Sequence, residues 1–337
     1  MARSRRRSRL EQLADEAEQG KRCIVGMSNK DAACLYRAHK AGNVLSPAPH
    51  LYVRDAYWTS LTQKEQALHV LRAVQYLHPN WVLAGPSAAL VYGLSVSYAQ
   101  LKQVFVATGR NAHSKSRASI VRIIVENDKP TIVNDLHVTS IERTVYDCLR
   151  IMDFTHGLAV ADSALHRKGW SRKKLLAVID EMPKRHQGHR HALATARFAD
   201  ARAESGGESM ARARMLLFGY EMPDLQVKVP NVVEGGSYFG DFGWKMPDGT
   251  LLVGKLDGHD KYVDPEMTGG KNIVEVMTDE RLRESQVSAA RATVMRFSFK
   301  DMMDDFRFTR ISDAYHTPRA TLPHYQDEDA PFVPTCK

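Results

Sequence analysis

The chain has 337 residues, 43% hydrophobic and 26% charged, a composition that suits a soluble protein of two or more domains. Lys and Arg number 47 against 39 Asp and Glu, and the resulting +8 favours polyanionic partners over acidic surfaces. No apolar run approaches the ~20 residues of a membrane helix, and neither GxxxxGK[ST] nor GxGxxG occurs. The cysteines at 23, 34, 148 and 336 form no CxxC pair, which argues against a disulfide framework or a cysteine-built zinc site and for a reducing cytoplasm.

Residues 1–9 hold Arg3, Arg5, Arg6, Arg7 and Arg9 without an acid, a pattern for either a phosphate-seeking arm or a solubilising tail. No apolar segment follows them, so they do not read as a secretory signal. Leu10–Gln19 predicts a short helix. Ser28 predicts an N-cap with Asp31 supporting the first turn, and the helix Asn29–Ala41 is stopped by Gly42-Asn43. Val44–Val53 is short, β-prone and broken by Pro47 and Pro49. Two helices, a glycine turn and a hairpin give the order of a winged helix, whose second helix enters the major groove. Its phosphate-facing candidates are Lys30, Arg37, His39, Lys40 and Arg54. A small helical cap with a solvated basic face satisfies the same pattern.

Thr62 opens a helix Lys64–Leu77. Trp81–Ala84 reads as a buried strand, and a small-residue helix from Pro86 closes near Gly93. Val104–Thr108 and Ile120–Val125 read as strands around a polar loop that offers Arg110, Lys115 and Arg117 to nucleic acid. Ser140 caps a helix Ile141–Ile151 in which Arg143 and Asp147 form a structural i,i+4 pair. Helical pieces follow at Ala159–His166, where Asp162 is a satisfied or exposed acid, and at Leu175–Ile179. Residues 160–191 carry eight Lys and Arg against three acids, either a nucleic-acid face or a solvated edge. Residues 201–207 read as the main hinge between domains.

Beyond that hinge the expected order is helix, three strands, helix, strand, helix. Glu208 lies in the first turn of the first helix. Asp241 alternates with aromatics in a strand, Asp248-Gly249 signals a two-residue hairpin turn, and Lys255 and Asp257 lie on the next strand. A helix Thr278–Ala290, a strand Thr293–Phe299 and a helix Lys300–Phe306 complete the segment, before an acidic, proline-flanked tail. Carboxylates from separate elements at one end of a sheet suit Mg²⁺, which takes hard oxygen ligands and activates water for attack on phosphorus. A nearby lysine then orients that water or stabilises developing charge.

Residues 204–306 resemble the restriction-endonuclease-like PD-(D/E)xK superfamily, in its very-short-patch-repair-like branch. The carriers are Glu204 to Ser209, Gly240-Asp241-Phe242, Leu256 to Tyr262, Glu280 to Glu284 and Val294 to Phe297. The resemblance implies a metal held by Glu208, Asp241 and Asp257, with Lys255 or Lys261 as the catalytic lysine of an Mg²⁺-dependent DNA endonuclease. One departure counts against activity. The pattern calls for Glu two residues before Asp257-Gly258, and this chain has Lys255, whose cation repels Mg²⁺. An inactive nuclease-like domain that retains DNA or partner binding is the other outcome.

Residues 20–200 resemble the AbiEi antitoxin family, through Leu51-Tyr52-Val53, Ser87 to Leu94, Val138 to Asp147 and Ala161 to Leu165. This implies operator binding through a winged helix and a nucleotidyltransferase-like toxin as partner. The expectation is an α/β (α+β) chain: basic arm and first helix, 1–20; winged-helix-like, 21–60; α/β middle region, 61–200; mixed-sheet nuclease-like domain, 201–310; tail, 311–337. Its expected role is a DNA-binding regulator of the antitoxin type. The alternatives are an active endonuclease and a protein-only toxin-neutralising module.

Overall fold

A computed structural model describes residues 8–110, 119–233, 235–257 and 289–321. The chain is mixed α and β and divides into two compact units at Ile151/Met152.

The first unit opens with α1 (Arg9–Gln19), fixed by a capping box between Ser8 and Glu11. In α2 (Asn29–Lys40) the Ser28 hydroxyl accepts from the Asp31 amide at 3.1 Å, as its spacing predicts. Strands β1 (Leu45–Ala48) and β2 (Leu51–Val53) form an antiparallel hairpin, and Ile24 bridges to Tyr52 beside it. Leu13, Ala17, Leu35, Ala38 and Val44 make the core beneath α1, α2 and the hairpin. The short helix α3 (Asp55–Ser60) precedes α4 (Gln63–Leu77), which Thr62 and Glu65 cap reciprocally.

Next come α5 (Gly85–Val91), the parallel pair β3 (Val104–Thr108) and β4 (Ile120–Ile124), the antiparallel pair β5 (Thr131–Val133) and β6 (Leu136–Val138), and α6 (Ile141–Ile151). The expected strand at 81–84 contracts to single bridges from Leu83 to Val106 and Val138. Its neighbouring backbone is served by a side chain: the Gln75 amide donates to the carbonyls of Trp81 and His137 at 2.8 and 3.0 Å. In α6, Asp147 accepts from Arg143 Nε at 2.8 Å and Arg150 Nε at 2.6 Å, all three buried, so the predicted pair is structural and has a third member.

His69 on α4 is buried. Its Nδ1–H donates to the Glu65 carbonyl at 2.7 Å, which leaves Nε2 to accept from the Tyr57 hydroxyl at 2.8 Å. The bond accepted by Nε2 requires neutral imidazole, and burial lowers the pKa from the usual range against the opposing pull of the Glu65 carbonyl. Below about pH 6.5 the unfolded chain therefore binds the proton that the native chain refuses, so stability falls as pH drops through that value. Urea unfolding followed from about pH 8 to about pH 5 checks this; His69→Gln flattens the slope.

The second unit begins with α7 (Phe154–Lys168), α8 (Arg172–Glu181), α9 (His189–Arg197) and α10 (Gly206–Leu217). A four-stranded sheet follows in the order β10-β9-β8-β7, comprising β7 (Asp224–Pro230), β8 (Ser237–Lys245), β9 (Leu251–Asp257) and β10 (Ala292–Ser298). The first three form an antiparallel meander, and β10 lies parallel to β9. Helices α11 (Phe299–Met303) and α12 (Asp305–Ala314) stand where one terminal helix was expected, because Asp304 ends the first and caps the second. Met210, Met215, Phe242, Trp244, Leu256, Met295, Phe297 and Phe308 form the core between sheet and helices. The expected helix Thr278–Ala290 lies outside the described residues except for Ala289 and Ala290, which form a turn.

The expected hinge at 201–207 lies inside the second unit, because α7 and α10 pack across it through Phe154, Leu158, Ala213 and Leu216. The Asp248-Gly249 turn is also longer than two residues. Pro247 fixes a negative φ, Gly249 sits at φ +79, and the loop closes through the Met246 N–H to the Thr250 carbonyl at 2.8 Å.

Candidate functional site

Each expected acid is set by its element. Ser205 caps α10 by accepting from the Glu208 amide at 3.1 Å, which turns the Glu208 carboxylate back over the helix start. There its oxygens accept from Ser205 Oγ at 2.8 Å, the Glu204 N–H at 3.0 Å and Gln226 Nε2 at 3.1 Å. Gln226 reaches in from β7, where its backbone takes a left-handed φ of +53. Burial pushes the Glu208 carboxyl above the usual range; the bonds from Ser205 and Glu204 oppose this, and the charge of Asp241 adds to it.

Asp241 stands on β8 between strands drawn close by glycines. A Cβ on Gly240 would lie 2.1 Å from Val253, and one on Gly243 would lie 2.4 Å from Val227. The β8–β9 ladder stops at Phe242–Gly254, and the Asp241 side chain continues it by accepting from the Leu256 N–H at 2.8 Å. Its other oxygen accepts from Lys255 Nζ at 3.1 Å. The same ammonium donates to the Phe239 carbonyl at 3.1 Å and lies 5.9 Å from the Tyr238 ring centre. Two residues on, the Asp257 carboxylate takes both arms of Arg296, which stands beside Lys255 on parallel β10.

Glu208, Asp241 and Asp257 are thus accompanied by one amide, Gln226, and two cations, Lys255 and Arg296. Glu208 and Asp241 are brought near enough to couple electrically, Lys255 holds Asp241, and Arg296 holds Asp257. Lys261 lies outside the described residues. Mg²⁺ needs carboxylate oxygens open toward a shared octahedral centre. These residues do not fit it, because an ammonium sits on Asp241, a guanidinium covers Asp257, and Glu208 already accepts from three neutral donors. Among the described residues, no group of three His, Cys, Asp or Glu side chains is placed to hold a metal ion. Arg296 and Gln226 were missed by sequence reasoning. Period-two alternation puts Arg296 on a definite strand face, but only the parallel register brings it to Asp257.

The nucleic-acid candidates separate into two groups. Lys30, Arg37 and Lys40 are exposed on α2; Arg37 Nε donates to the Ala33 carbonyl at 3.2 Å, and Lys40 stands 5.6 Å from the Tyr36 ring centre. Asp31, the acid of this helix start, is neutralised by Arg9 at 2.7 and 3.0 Å. Arg54, expected to face phosphate, instead ties the hairpin's end to α1 through Glu18 at 2.6 Å and Asp15 at 2.9 Å. Arg110 is forked onto Glu126 at 3.1 Å. Lys115 and Arg117 lie outside the described residues.

Asp162 is fully buried. It accepts both contacts of Arg212 Nη2, at 2.9 and 2.8 Å, and the Asp200 N–H at 2.7 Å. This pair locks α7 to α10 and with it the helix that carries Glu208. Among the described residues no helix is long and apolar enough to cross a membrane. No protein-family model, curated protein or solved structure matches the chain significantly.

Proposed function

We propose that the protein is a DNA-binding regulator of the antitoxin type, with a nuclease-like second unit that does not hydrolyse DNA. The observation that carries the second half is the Lys255 ammonium on Asp241, with Arg296 on Asp257 beside it. A cation already neutralises two of the three acids that a metal would need, and neutral donors hold the third, so the unit's chemistry is limited to binding.

The first half is supported by the exposed Lys30, Arg37 and Lys40 on α2, beside the β1–β2 hairpin, and by the +8 charge of the chain. Side chains of this kind hold phosphates as point charges or forks and release counterions from the duplex. The likeness of residues 20–200 to AbiEi antitoxins supports a nucleotidyltransferase-like toxin as the protein partner.

Gel shifts with the upstream DNA of the gene test this reading. Affinity falls linearly with salt on logarithmic axes, and replacing Lys30 and Lys40 with Ala makes the slope shallower by about one for each. Binding that is absent or indifferent to salt removes the DNA reading and leaves the protein-only toxin-neutralising module.

A further inference from the structure

We infer that the first unit holds a second recognition element, a pocket for one unpaired DNA base. This deepens the DNA reading above and rests on it. Between α2, the hairpin tip and the end of α4 lies a cavity of about 420 Å³, lined by Gly26, Ala33, Tyr36, His50, Tyr52 and Leu77. That volume falls within the ~300–1,000 Å³ of small-ligand sites. Its floor is small and apolar, and its walls carry three rings. Tyr52 is buried to 7% exposure, whereas Tyr36 is 55% exposed, so one ring is fixed and the other offers its face. His50 occupies the second position of the two-residue hairpin loop, at φ +63.

The helix that carries Tyr36 supplies the charge. Lys30, Arg37 and Lys40 lie on the same helix as Tyr36, Lys40 stands over its ring, and Arg9 holds the nearby Asp31. Apolar floor, stacking faces and a cationic helix match the three parts of a nucleotide in a single strand: base edge, base face and phosphate. An acidic peptide would use the cations but leave the rings empty. A neutral apolar ligand would use the rings but not the cations.

The probe is 2-aminopurine in a short single-stranded DNA, with the same base as a free nucleoside monophosphate and a matched duplex as further arms. The intact protein quenches the fluorescence of the single strand. Tyr36→Ala weakens that binding about tenfold, the loss of one stacked base, while Tyr36→Phe retains it. Duplex affinity and its salt slope stay at the wild-type value in both variants. Equal single-strand affinity in wild type and Tyr36→Ala, with duplex binding intact, overturns the pocket and spares the DNA reading. No binding of either DNA form overturns both. Equally tight binding of the free monophosphate overturns the strand as the source of the base.

Discussion

Arg212→Met costs about 3–5 kcal/mol of folding stability, because it strands a fully buried carboxylate at Asp162. The guanidinium is itself nearly inaccessible and also donates to the Phe198 carbonyl at 2.7 Å, so its loss orphans a second acceptor. Denaturant unfolding gives the number as a drop in midpoint at constant slope. The companion Asp162→Leu/Arg212→Met variant regains most of the loss, since two apolar side chains leave no buried charge. About 1–3 kcal/mol stays missing, because the Asp200 N–H and the Phe198 carbonyl each lose the partner they now meet at 2.7 Å. A double-mutant cycle measures the pair directly.

Lys255→Glu has the second large effect, and its sign depends on the solution. Without divalent metal the variant places a carboxylate against Asp241, removes the donor to the Phe239 carbonyl, and adds negative charge near Glu208. The pair is partly exposed, so the cost is about 2–4 kcal/mol, below that of a fully buried pair. Mg²⁺ or Mn²⁺ then reverses the loss by supplying the missing positive charge, and the melting temperature rises with metal concentration. Lys255→Met loses the ion pair without gaining a ligand, so it melts early whatever metal is added. Wild type is unmoved by either ion. A thermal-shift series across the three proteins reads all of this, and a wild-type melting point that climbs with Mn²⁺ sinks the account.

Local grammar was legible where a residue acts on its own neighbours. Ser28 and Thr62 cap the helices their spacing predicts, Ser140 accepts from the Arg143 amide at the start of α6, and Arg143 meets Asp147 one turn away. The acids of the site were legible too, because Glu208 sits in a first turn and Asp241 interrupts an aromatic strand. Their partners were not. Lys255 reaches Asp241 only once β8 and β9 pair, Arg296 reaches Asp257 only across the parallel β9–β10 register, and Gln226 reaches Glu208 through a left-handed kink in β7. The boundary failed for the same reason. Glycines at 206–207 signal a flexible join, but the Asp162–Arg212 pair spans fifty positions of sequence and binds the helices on either side into one unit.

Arg54 shows how charge alone misleads. In sequence it is an exposed cation at a hairpin's end, suited to a phosphate, whereas in the fold two acids of α1 already hold it. Lys30, Arg37 and Lys40 on α2 are exposed, and the one acid of that helix, Asp31, is paired with Arg9.

The protein's own cations, Lys255 and Arg296, occupy Asp241 and Asp257 on the four-stranded sheet of the second unit. Supercoiled plasmid incubated with wild-type protein in Mn²⁺, beside Asp241→Ala, tests it most directly. The account predicts that the plasmid stays supercoiled with both proteins. Nicking by wild type that Asp241→Ala abolishes would contradict it.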